Sequence, residues 1–126
     1  MPKVLKFDFC LISLYDQYLV TQINEGVHLL PEHNQVLDDL AISHFKGRPF
    51  VYITNRINSY SVDPQIYFET SKIKNLAGFA VVSKKYKAKS NAEIEKMFFS
   101  KPFEIFGDLD SAKKWATQLL EDYFSE

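Results

Sequence analysis

Residues 55–65 read NRINSYSVDPQ and gather most of the chain's obvious recognition chemistry in one polar run. Arg56 offers a guanidinium, Asn55 and Asn58 offer carboxamides, and Ser59, Tyr60 and Ser61 offer hydroxyls. A second polar run, SKKYKAKS at 83–90, adds Lys84, Lys85 and Lys87. An arginine fork pairs with a carboxylate or phosphate through two parallel bonds, and lysines add charge without fixed geometry. Brought to one edge, the two runs would hold an anion, with the helix start near Asp63 supplying backbone N–H groups. The Asp63 carboxylate competes for those same groups. These are residues that bind, and nothing in their spacing breaks or makes a covalent bond.

Other chemistries do not assemble. His28, His33 and His44 lack the partners and spacing of a metal site, and no CxxC or HExxH string accompanies them. Cys10 sits in a strand-like run without a base, and no serine stands in a G-x-S-x-G elbow. Asp63 and Glu69 are six positions apart on a short helix and do not share a face. Four glycines form no phosphate loop. The expectation is a protein with no catalytic residue, no metal and no cofactor.

The 126 residues suit one domain, 1–126, with 46% hydrophobic and 25% charged residues in the globular range. A net charge of −1 argues against nucleic acid as a partner. The single cysteine excludes an internal disulfide and reads as a small buried apolar side chain. No cleavable leader and no membrane-length apolar run is visible, so a cytoplasmic location is expected.

The elements that must position the polar runs are read from periodicity. KVLKFDFCLISLY alternates, with Leu5, Phe7, Phe9 and Leu11 on one face, and pairs through Asp16-Gln17 with YLVTQINEG, whose Leu19, Thr21 and Ile23 share a face. Pro31 and Glu32 start a helix with Val36, Leu37, Leu40, Ala41 and Phe45 as its stripe, and Gly47 and Pro49 stop it. FVYIT and GFAVVS are unalternating apolar strands, the pattern of strands covered on both faces. Between them, Asp63-Pro64 opens a short helix. SNAE at 90–93 reads as a capping box for a helix with Ile94, Met97 and Phe98 as its stripe, which leaves Phe99 pointing away. FEIF is a brief strand, and Asp108 or Asp110 caps a last helix carrying Ala112, Trp115, Ala116, Leu119, Leu120 and Tyr123. The order β-β-α-β-α-β-α-β-α predicts one α/β domain on a mixed five-stranded sheet, with an antiparallel hairpin at 4–24 and parallel strands near 50–54, 79–83 and 103–106.

This arrangement resembles the STAS domain and its SpoIIAA-like relatives. The likeness is carried by YLVTQINEG with the helix from Pro31, by PFVYITN and GFAVVS, and by FGDLDSAKKWATQLL. It implies a small stand-alone bacterial member: a cytosolic, non-catalytic regulatory domain that works through protein contacts. In antagonist members the loop after the third strand holds a phosphorylated serine in an Asp-Ser pair followed by glycine. The matching loop here, TNRINSYSVDPQ, has no such string but carries Ser59 and Ser61, the candidate phosphorylation sites. Relatives of similar fold bind lipids, so a small anionic or lipid-like ligand is the alternative reading. The expected contact set is Asn55, Arg56, Asn58, Ser59, Tyr60, Ser61, Lys84 and Lys85, at the carboxyl ends of the parallel strands where open α/β sheets meet ligands. Phe99, set off its stripe and expected to be exposed, suggests a homodimer surface, since large apolar patches mark contacts.

Overall fold

The computed structural model describes residues 2–124. Six strands form one sheet: β1 (Lys3–Lys6), β2 (Cys10–Leu14), β3 (Tyr18–Ile23), β5 (Phe50–Asn55), β7 (Leu76–Val82) and β8 (Phe103–Phe106), in that spatial order. β1, β2 and β3 run as an antiparallel meander, while β3, β5, β7 and β8 are parallel to one another. β4 (His28–Leu29) and β6 (Ser61–Val62) pair as a small separate parallel ribbon. A 3-10 turn (Pro31–Asn34) leads into α1 (Gln35–Ser43), followed in order by α2 (Gln65–Ser71), α3 (Tyr86–Lys96) and α4 (Leu109–Phe124).

The parallel strands carry two cores because alternate residues face opposite sides. Leu19, Phe50, Phe79 and Phe103 face α1 and α2 in the larger core. Val20, Val51, Ile53, Ala80 and Val82 pack on Ala112, Ala116 and Leu120 of α4. Leu37, Leu40, Ala41 and Phe45 are buried as their stripe predicts, and Gly47 takes φ +81° where that helix ends. Gly78 lets α4 approach the sheet: a Cβ there would stand 2.6 Å from Leu119 Cδ2.

Three expectations need correction. The sheet has six strands, not five, because the chain reverses at Phe7–Phe9, where Phe7 N–H donates to the Cys10 carbonyl at 2.8 Å. Leu5, Phe7 and Phe9 pack half-buried against the larger core as expected, but past the reversal Cys10, Ile12 and Leu14 take the inward face and Leu11 does not. The third helix starts at Tyr86, with Lys85 as its N-cap and no side-chain cap bond, so Ser90 lies inside it; Ser83 Oγ accepts from Lys85 N–H at 3.1 Å in the turn just before it. Finally, Ile94 and Met97 are exposed, and Phe99 is buried against Phe79 and Phe103. The helix ends at Lys96 in tight turns at Met97, Phe98 and Phe99, so helical periodicity no longer decides where Phe99 points. The observation behind a Phe99-based homodimer is thereby removed.

Candidate functional site

β5 determines the geometry of the site. Tyr52 and Thr54 face the larger core, and Arg56 follows in the same alternation, its N–H donating to the Val82 carbonyl at 2.8 Å. Arg56 is therefore buried, 8% exposed, and does not reach out as a free contact. Its charge requires a partner, and α3 supplies one. Arg56 Nη2 and Nη1 donate to Glu95 Oε1 and Oε2 at 2.8 and 3.3 Å. Tyr67 Oη of α2 donates to the same Oε1 at 2.6 Å. Arg56 Nε donates to Tyr60 Oη at 2.9 Å, and Thr54 Oγ1 bonds that hydroxyl at 3.3 Å.

Electrostatics match this geometry. Burial alone would lower the pKa of Arg56, but Tyr60 and Glu95 outweigh it and the guanidinium stays charged. Burial, and then the Glu95 carboxylate, push the Tyr67 phenol well up, so it remains a proton donor.

The rest of the loop is tied to its neighbours. Asn58 Nδ2 donates to the Ile23 carbonyl at 2.9 Å, and Ser59 N–H donates to Glu25 Oε2 at 2.6 Å. β6 pairs with β4, and His28 Nδ1 lies 2.6 Å from Ser61 Oγ. Asp63 Oδ1 accepts from Gln65 N–H at 3.0 Å, so the competition for the N–H groups at the α2 start that the sequence suggested is realised. Ser59 and Ser61 remain exposed.

The two polar runs do meet. An open groove of about 500 Å³ lies between the 56–64 segment and α3, lined by Arg56, Asn58, Tyr60, Ser61, Lys85 and Lys87 among others. Asn55 and Lys84 turn instead to a second hollow of about 290 Å³, beside Gly107 and Asp108. Arg56 and Tyr60 also wall an inner apolar chamber of about 50 Å³ under the loop. Among the described residues no cluster of His, Cys, Asp or Glu could hold a metal ion.

Glu95, Tyr67 and Thr54 are absent from the sequence-derived set. One signal was present for Arg56 itself: at the end of a strand buried on both faces, the 52, 54, 56 alternation points it inward, where a guanidinium demands an anion. Nothing in the sequence nominates Glu95 over the other acids.

Order, topology and the strand-end groove together define an α/β domain of SpoIIAA-like fold. The chain is similar in structure to an uncharacterized protein from the DUF3478 family with a SpoIIAA-like fold from Shewanella loihica PV-4, with a TM-score of 0.53 and 14% identity over 92% of each chain. No family model and no curated protein matches the sequence. Among the described residues no helix is long and apolar enough to cross a membrane.

Proposed function

We propose that this chain is a non-catalytic regulatory binding domain that recognises a protein partner through the groove between residues 56–64 and α3. One observation carries the reading: the groove's frame is tied by internal bonds while its lips present groups without a task. Among the described residues, Lys85 and Lys87 make no ion pair, and Ile94 is 58% exposed. A firmly tied wall on the 56–64 side, facing adaptable and partly apolar groups on α3, is what a recognition surface needs. Ser59 and Ser61 on the rim are open to modification, and a phosphate there would add charge beside the lysines.

A small anionic ligand is the second reading, favoured by the same two lysines and by a groove volume within the range of small-molecule sites. A lipid tail does not fit the inner chamber. At about 50 Å³ it is well below the roughly 150 Å³ that admits a benzene ring.

The test places a photo-crosslinking residue at Ile94 or at Ile42, a still more exposed position on α1, and irradiates native cells. A discrete protein adduct at Ile94, lost when Lys85 and Lys87 are both changed to Glu, is the expected result. No adduct at Ile94, or equal adducts at both positions, refutes the reading.

A further inference from the structure

We propose that Arg56 and Tyr67 form a carboxylate-binding site that the chain's own Glu95 occupies, and that a carboxylate from outside takes Glu95's place and releases α3. This rests on the groove being the recognition surface and names what it recognises.

The donors form a built site. Two guanidinium N–H groups and one phenol O–H converge on a single carboxylate, and Tyr60, held by Thr54, fixes the guanidinium by accepting from Nε. Bidentate arginine with an added hydroxyl is a strong and orientation-specific way to hold a carboxylate. The donors are firmly packed: Arg56 and Tyr67 are buried, as are Thr54, which holds Tyr60, and Ile66 and Thr70 around Tyr67.

The acceptor stands on a lightly packed one. Within α3 the buried residue is Ala92, while Tyr86 and Ile94 are 84% and 58% exposed. Withdrawing this helix uncovers little apolar surface, so hydrophobic burial holds it only weakly. Behind it, Phe99 is anchored against Phe79 and Phe103, which leaves the Met97–Phe99 turns as a pivot. A buried ion pair is on balance a weak stabiliser, so α3 is not strongly held through Glu95 either, provided Arg56 is never left alone. An incoming carboxylate meets that condition by restoring the same bonds.

Access and attraction are also present. Arg56, Tyr60 and Glu95 all line the groove, and Lys85 and Lys87 lie beside them to draw an anion in. The carboxylate belongs either to a free organic acid or to an acidic side chain of a protein partner, and the experiment separates these sources.

Calorimetric titration with acetate, succinate and a blocked Glu-Ala-Glu peptide is paired with amide exchange across residues 86–96. Wild type should bind at least one probe with faster exchange in α3. Glu95→Gln should bind about tenfold tighter, because the internal competitor that keeps most molecules closed is gone. Arg56→Lys, which loses the fork, should abolish binding. Saturation by succinate assigns a free acid, and saturation by the peptide alone assigns a partner side chain. The proposal is overturned if no probe binds wild type, if binding slows exchange in α3, or if Glu95→Gln leaves affinity unchanged. Binding confined to Glu95→Gln also overturns it, since Glu95 is then a permanent structural partner. Should that variant misfold, the wild-type exchange result decides alone. A crosslink at Ile94 with no probe bound would defeat this inference and leave the groove reading standing.

Discussion

Arg56 and Glu95 are 39 positions apart in sequence and meet at 2.8 Å, both side chains nearly removed from solvent. Their pairing joins the end of a central strand to the helix with the fewest buried residues among those described. Breaking it by removing one partner strands the other charge. Arg56→Met should therefore cost about 3 kcal/mol, the low end for buried pairs because Glu95 borders an open groove. Arg56→Met with Glu95→Leu should recover most of that loss. Urea unfolding of the two single variants and the double variant gives the coupling directly, and single variants as stable as the parent would sink the argument.

Phe99 is a core residue, stacked edge-on against Phe79 and Phe103 at 5.4 and 5.8 Å. Phe99→Ala should cost about 3–5 kcal/mol by cavity formation. Phe99→Asp should fail to fold, because it adds an unpaired buried charge. Circular dichroism melts check both, and a folded Phe99→Asp protein with an altered oligomeric state would reinstate the interface reading.

Gly78→Ala places a methyl 2.6 Å from Leu119 Cδ2 and 3.1 Å from Trp115 Cη2. Leu119 is the end of a flexible side chain and can yield, so the expected cost is about 1–3 kcal/mol with the fold retained. Trp115 is the sole tryptophan and reports the shift as a change in emission. Adding Leu119→Ala should cost less than the two changes do separately, because the clash is then relieved. Strict additivity would disprove the contact.

Cys10 is buried, and loss of solvent pushes its thiol up to about 12 from an ordinary 9.0. A group whose pKa is raised on folding contributes stability that is fully present below the unfolded value. Stability attributable to Cys10 should therefore be intact at neutral pH and fall as pH rises from about 9 toward 12. Cys10→Ala should flatten that part of the stability profile. Alkylation by iodoacetamide at pH 8 should require denaturant, and rapid labelling of the native protein would contradict the burial.

The helices after residue 31, the parallel strands and the α4 stripe as far as Leu120 were legible in the sequence because each rests on local periodicity, whereas β6 and the exposure of Tyr123 were not. Both FVYIT and GFAVVS lack alternation, and both proved to be strands covered on two faces. The meeting of the 55–65 and 83–90 runs was legible too, since parallel strands must place their carboxyl ends together. The break at Phe7–Phe9 was hidden because Leu5, Phe7, Phe9 and Leu11 keep a strand's alternation through the reversal. Periodicity misled at Phe98–Phe99 for a related reason: the helix had already ended.

What the sequence determined by itself, then, is the fold class and the edge where its polar loops gather, because both follow from which residues avoid water and in what period. The tertiary structure alone decided which groups on that edge are free. Arg56 and Tyr60 look like contacts in a list of polar residues, yet they are engaged with Glu95 and Thr54, on a helix and a strand that the loop reading did not join to them. A hydrogen bond depends on ångström-scale placement of both partners. Such placement arises only when distant elements pack, so no local pattern in the chain encodes it.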